Sequence, residues 1–411
     1  MEIHSEFKWE QFSPSIEGYE FMFGYYDRCP WDVSGKYHLA MQIPVLSNRL
    51  PVIGENAIIG ILDTDKKWEP LVETKTWCHQ QGCMELFLKH RPNCFVFNDY
   101  DECDQKMVAR IYELGRGIVG RYERPIYAIS PDGHWAASLN FSRIPRRGYS
   151  YAYAPLDPDW FPKDLDADGV WLIDLLTGKE HLAVSYRTMM ERHPYPCVLE
   201  NKYIWLNHII FNCDSTRLLW LFRSIHDPVH PKKMWQTFMY TSALDGQDVK
   251  CSLPEVYWTN MISHQIWGRS PYEIMVDANW ENSPGCFKIM VYDDRETPFR
   301  ARQVSDCHGM RAHLVYSPNG QFILADSYPD ENGYQTLMLV DADTGKCVTL
   351  GKFLHNVPSG TIEEKRCDLH PRWNPDGTVV TIDSIASGVR AIYRLDLHEA
   401  MRKISSKNIT K

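Results

Sequence analysis

The sequence predicts an all-β chain folded as a seven-bladed β-propeller, and three observations carry the prediction. A tight-turn cassette followed by an apolar strand recurs along 411 residues. A second strand that ends in an acidic turn alternates with it, and long helical periodicities are missing. Strand-turn-strand units repeating every ~40 to 60 residues match four-stranded blades packed around an axis.

The first blade opens with Val33-Ser-Gly35 ahead of Tyr37-His-Leu-Ala-Met41. Stronger copies are Ser130-Pro-Asp-Gly133, Cys213-Asp-Ser215, Ser317-Pro-Asn-Gly320 and Asn374-Pro-Asp-Gly377, each preceding a β-branched or aromatic run. Pro presets φ at the first turn position, and Asp or Asn followed by Gly accepts the left-handed conformation the turn needs. Weaker copies at Arg91-Pro-Asn93 and Arg269-Ser-Pro271 bring the count to seven. The alternating element is seen in Gly60-Ile-Leu-Asp-Thr-Asp65, Trp171-Leu-Ile-Asp174, Met290-Val-Tyr-Asp293, Leu339-Val-Asp341 and Tyr393-Arg-Leu-Asp396. Ring closure is expected to pair N-terminal residues with the last blade. The expected organisation is one propeller domain over 1–411, with an irregular Tyr/Pro/Asp-rich insertion around 144–168 on the cleft rim and a short tail around 398–411.

Composition narrows the function. Net charge of −9 argues against a nucleic-acid or anionic-membrane binder. The N-terminus has no apolar signal segment and no run approaches the ~20 apolar residues of a membrane span, so a cytoplasmic protein is expected. The twelve cysteines are scattered without disulfide-scaffold spacing and read as reduced thiols.

Chemistry-bearing residues gather ahead of the turns. His264, His313, Cys367 and His370 stand at matching points of three late blades, where innermost strands converge on the axis. Three imidazoles and a thiolate make a tetrahedral Zn²⁺ set or, with substitution, a Mn²⁺ set; Cys307 and His308 are competing ligands. Tyr127 precedes the Ser130 turn and Arg143 ends the strand after it, so one hairpin can bring them together. A phenol beside a guanidinium has its ionised form favoured and can shuttle a proton. Arg124 is a further cation in the same stretch. Trp77, His79, Gln80 and Gln81 combine a ring, two amides and an acid-base group, as sugar recognition requires. Tyr26 and Asp27 lie in Phe23-Gly-Tyr-Tyr-Asp27-Arg-Cys-Pro-Trp31, a substrate platform or the first blade's core.

In Phe23 to Asp27, Trp77 to Gly82, Arg124 to Arg143, His313 to Asp330 and Arg366 to Ser384, the chain resembles the seven-bladed propeller polysaccharide lyases: ulvan and rhamnose–glucuronate lyases, and more distantly oligogalacturonate lyases. The resemblance implies β-elimination on a uronate-containing oligosaccharide, with Tyr127 as proton shuttle, Arg143 as carboxylate partner and His79 close by. Gln80-Gln81-Gly82 stands where the ulvan-lyase-like pattern has a second His. The oligogalacturonate lyase pattern, Gln-x-x-His-Pro-His for Mn²⁺, survives as His370-Pro371 with Cys367 and Arg372 at its outer positions. A His equivalent to His264 belongs to that same metal set. A thiolate in place of an amide shifts the expectation to structural zinc, with manganese second. A glycoside hydrolase using Asp27, and a sugar- or protein-binding propeller without catalysis, are the alternatives.

Overall fold

The computed structural model describes residues 3–46, 48–145, 150–154, 165–228, 235–253, 261–280, 287–306 and 313–406. Seven antiparallel sheets follow one another along the chain and make a seven-bladed β-propeller. Blade 1 comprises Tyr19–Met22, Tyr37–Pro44, Ala57–Asp63 and Trp68–Thr74, and blade 4 comprises Tyr203–Phe211, Arg217–Ile225, Gln236–Ala243 and Lys250–Ser252. Innermost strands of the others are Leu86–Leu88, Ala128–Ile129, Met261–Trp267, Leu314–Tyr316 and Arg372–Trp373.

The turn cassette sets the register. In six blades the residue opening the turn donates its backbone N–H to the carbonyl five positions on: Asp32 to Tyr37, Ser130 to Trp135, Asn212 to Arg217, Gly268 to Glu273, Ser317 to Phe322 and Asn374 to Val379. Asp and Asn side chains at these turns also accept from the backbone, as Asn374 Oδ1 does from Thr378 at 2.8 Å. Blade 2 differs: its strand already begins at Arg91, so Lys89 and His90 make the turn expected at Arg91–Asn93.

The N-terminus closes the ring on two blades. Glu10–Gln11 supplies the outer strand of blade 7, and Ile3–His4 adds a fifth strand to blade 6. Phe7 and Trp9 are buried between them, and the Trp9 indole N–H donates to the Leu350 carbonyl at 2.9 Å. The tail is helical over His398–Ser406, with Ala400 and Ile404 on its buried side. Among the described cysteines nine are free, but Cys347 is disulfide-bonded, which departs from the expectation of reduced thiols. No helix among the described residues is long and apolar enough to cross a membrane.

Candidate functional site

In six blades the register sets one residue at the same offset from its turn. Four residues ahead of each turn-opening residue stand Arg28 (blade 1), Ile126 (blade 3), His208 (blade 4), His264 (blade 5), His313 (blade 6) and His370 (blade 7). His208, His264 and His370 have φ of +54°, +48° and +44°. Strand pairing shifts between Asn207 and Ile210 and between Ser263 and Ile266, so His208 and His264 sit on bulges. Such backbone is uncommon outside glycine, and a bulge re-aims its side chain.

Three of these groups face one another as metal donors would. Ligand atoms of His313, Asp368 and His370, all buried, lie within 4.8 Å of one another. The Nδ1 of His313 is held by Asp326 at 2.9 and 3.0 Å, and the Nδ1 of His370 by the Gly24 carbonyl at 2.9 Å. Anchoring one ring nitrogen on a carboxylate or carbonyl and turning the other inward is how metal-binding imidazoles are oriented. The inward Nε2 of His370 is buried with no hydrogen-bond partner among the described residues. Burial, with His313 and Arg372 nearby, keeps the His370 imidazole neutral, its pKa well below the ordinary value. These residues fit a divalent cation.

His264 packs against His313 at 4.0 Å between ring centroids with the rings tilted by 48°, while its Nε2 lies 3.2 Å from the Tyr328 hydroxyl and its Nδ1 3.6 Å from Asp277. Tyr328 accepts from Arg366 at 3.0 Å, and Arg366 grips Asp368 at 2.9 and 3.0 Å. Cys367 does not join the donor set. Alternate residues of this extended segment face opposite sides: Arg366, Asp368 and His370 turn to the axis, and Cys367 turns away from it. Burial pushes the Cys367 thiol up to about 12, the reverse of a thiolate ligand. Cys307 and His308 lie outside the described residues.

Across the axis, the segment Phe23–Arg28 runs between the blades. Tyr25 is half-buried, its ring 5.0 Å from His370 and 5.1 Å from His208; Tyr26 is fully buried, 4.9 Å from His313. Asp27 lies 3.3 Å from His208 Nε2 and 3.8 Å from Arg28, and the Gln265 amide sits 2.6 Å from His208 Nδ1. Burial alone would raise the Asp27 carboxyl, but Arg28 and His208 outweigh it and hold its pKa below the ordinary value. Burial keeps His208 largely neutral despite Asp27.

The expected Tyr127–Arg143 pair does not form. The Tyr127 hydroxyl donates to Asn207 at 2.8 Å and accepts from Gln81 at 2.9 Å, and the guanidinium over its ring, at 5.0 Å, is that of Arg28. Burial raises the Tyr127 pKa well above the usual phenol value, and Arg28 offsets only part of this, so the phenol stays protonated. Arg143 follows the strand Trp135–Ser138 in a short 3-10 turn, and is fully buried against Asp168 at 2.8 Å and the Tyr186 ring at 4.1 Å. The hairpin fixed their sequence proximity, but the turn carries Arg143 toward the Asp168 side of blade 3.

The other expected residues divide. Gln81 reaches the site through Tyr127. Trp77 is buried, its N–H donating to the Glu55 carbonyl at 2.6 Å, with the His79 ring 5.0 Å away; the His79 carbonyl accepts from Arg390 at 2.7 Å. Gln80, half-buried, precedes Gln81 in the same turn. Arg124 lies elsewhere, ion-paired with Glu180 at 2.9 Å and stacked on Trp171 at 3.5 Å. Reading the sequence by types missed His208, Arg28, Arg366, Asp326 and Asp368. His208 had a signal, since it stands ahead of its turn as His313 and His370 do.

Two solved structures share this architecture. An oligogalacturonate lyase in complex with manganese matches with TM-score 0.62 at 14% identity, over 97% of this chain and 95% of that one. An oligogalacturonate lyase from Vibrio parahaemolyticus matches with TM-score 0.63 at 15% identity, over 97% and 96%. The likeness is one of fold. No family model and no curated protein sequence matches the chain.

Proposed function

We propose that this protein is a metal-dependent lyase that cleaves uronate-containing oligosaccharides by β-elimination. The observation that carries the reading is the His313, Asp368 and His370 group with both Nδ1 atoms anchored, set beside Arg366 at the propeller axis. Fold kinship with an oligogalacturonate lyase that holds manganese supports it.

The chemical difficulty of this elimination is the weakly acidic C5 proton of a uronate. When bound, a divalent cation neutralises the carboxylate and stabilises the enolate-like charge that develops. His313, Asp368 and His370 would hold it, with His264 beside them. Two nitrogens and an oxygen suit Mn²⁺ as well as Zn²⁺, and the thiolate on which a zinc preference rested is not among them. Three protein ligands leave a position for substrate, which favours a catalytic over a structural ion. Arg366 adds a fixed cation for the carboxylate. In the elimination a base removes the C5 proton, the C4=C5 bond forms as the C4–O bond breaks, and the departing oxygen takes a proton from water. His208, with its two ring nitrogens held by Asp27 and Gln265, orients Asp27 and Arg28 beside the site rather than receiving that proton. Tyr127, protonated and pinned by Gln81 and Asn207, positions Arg28 rather than shuttling a proton.

The test is an ultraviolet scan of purified protein with Mn²⁺ against galacturonate, rhamnose–glucuronate and ulvan oligosaccharides. Absorbance from the new conjugated double bond is expected, lost with chelator and reduced about a hundredfold or more in Asp368→Asn. A flat trace with sugar release would replace the reading with hydrolysis; a flat trace without release would leave a binding propeller.

A further inference from the structure

The segment that supplies Arg366, Asp368 and His370 to the axis has a second face. Lys365 ends the short turn Glu363–Lys365 and points into a small cleft at the seam between blades 7 and 1. Glu20, Thr361, Lys365 and Arg390 supply its polar lining, and Val45, Pro358 and Ile385 supply apolar walls. The cavity is about 20 Å³, room for one water-sized group. Val45 and Ile385 follow second strands of their blades (Tyr37–Pro44 and Val379–Ser384), and Lys365 precedes an innermost strand. These are the strand ends at which the axial site also lies, so cleft and site open toward the same side of the propeller.

The cleft holds a loosely paired cation. Lys365 is 6% exposed and Glu20 5%. Their closest approach, Lys365 Nζ to Glu20 Oε2, is 3.8 Å, beyond hydrogen-bond reach, and that carboxylate oxygen has no hydrogen-bond partner among the described residues. Arg390 is committed elsewhere: it donates to the carbonyls of His79 at 2.7 Å, Lys365 at 3.0 Å and Arg366 at 3.1 Å. Among the described side chains lining the cleft, Lys365 and Arg390 face one carboxylate, Glu20, and Asp383 and Asp368 lie near Arg390 on its other side. Burial and Arg390 together depress the lysine's pKa, consistent with an ammonium that lacks full compensation.

We propose that this cleft is a second carboxylate subsite, in which Lys365 receives one carboxylate oxygen from a uronate neighbouring the sugar held at the axis. The inference rests on the lyase reading for its substrate class. A polyuronate chain carries a carboxylate on every uronate, so a chain centred on Arg366 and Asp368 presents the next one to the rim. Backbone links the two positions directly, because Lys365 and Arg366 are consecutive and share Arg390 as a clamp. A cavity that admits only one oxygen-sized group selects the carboxylate edge over a whole sugar ring.

The test compares wild type, Lys365→Met and Lys365→Arg on di- and tetragalacturonate with Mn²⁺. For Lys365→Met the KM for the tetramer should rise about tenfold, with KM for the dimer and kcat for both unchanged; Lys365→Arg should restore most of the loss. Because Lys365→Met leaves Glu20 buried without its counter-charge, the double variant Glu20→Gln/Lys365→Met is made alongside and should give the same tetramer-specific defect with wild-type thermal stability. Equal KM changes on dimer and tetramer, or none, would overturn the subsite. If wild type forms no unsaturated product from any uronate, the lyase reading fails, and calorimetry of tetragalacturonate decides the subsite alone. Binding weakened about tenfold in Lys365→Met retains it, and binding equal to wild type, or absent from wild type, removes it.

Discussion

Asp326 shows how a residue with no place in the sequence reading organises the site. One carboxylate oxygen accepts from the His313 backbone at 2.7 Å and meets its Nδ1, and the other accepts from the His370 backbone at 3.1 Å. It therefore fixes two candidate ligands on neighbouring blades. Asp326→Asn is expected to weaken Mn²⁺ binding about 10- to 100-fold by metal titration, with little loss of thermal stability. Unchanged affinity would mean that Asp326 serves packing alone. The imidazoles were legible because each stands at a fixed distance from a recognisable turn. Their carboxylate anchors were not, since Asp326 reaches His313 across a strand pair rather than along the chain. Cys367 departs from the expected donor set for a similarly local reason: its distance from the turn does not say which side of the extended chain it takes.

At the scale of the element, the segment Phe23–Arg28 connects the ring through its middle. Phe23 N–H donates to Asp383 at 3.4 Å, the Gly24 carbonyl serves His370, and Arg28 reaches the Gln81 carbonyl at 3.4 Å. Gly24 has φ of +143°, and a Cβ there would lie 2.9 Å from the Gln81 carbonyl carbon. Backbone contacts backbone at that point, so neither side can yield cheaply. Gly24→Ala should cost about 1–3 kcal/mol, read as a Tm several degrees lower. An unaltered Tm would mean the segment tolerates a side chain and does not hold blades 1, 2 and 7 together. The sequence marked this segment as platform or core; packing makes it both, with Tyr26 buried and Tyr25 left half-open among the imidazoles.

For the whole molecule, stability should depend on pH through a buried carboxyl near the axis. Glu85 is 1% exposed, accepts from the Cys83 N–H at 3.0 Å, and has its pKa raised to about 7 by burial. A folded-state value above the unfolded value of 4.5 means the native state holds this proton more tightly. Its stabilisation is complete below the unfolded pKa, declines as pH rises between the two values, and is gone above about 7. A shift of that size corresponds to about 3 kcal/mol. Glu85→Gln should flatten the fall in unfolding free energy between about pH 5 and 7 measured in denaturant. Parallel wild-type and variant curves across that window would assign the dependence to other groups.

The sequence by itself determined the propeller, the blade count and the closing role of the N-terminus, because these follow from local turn chemistry and strand periodicity repeated along the chain. It also determined that His264, His313 and His370 would share a level near the axis, since a constant offset from a constant turn survives folding. Tertiary structure alone decided which groups meet: Asp368 rather than Cys367 beside the imidazoles, Arg28 rather than Arg143 over Tyr127, and His208 bridging to Asp27. Apart from Asp368 and His370, which lie two positions apart, those pairings join residues that are far apart in the chain. They depend on bulges, left-handed backbone and side-chain direction, which residue identity and spacing do not encode one at a time.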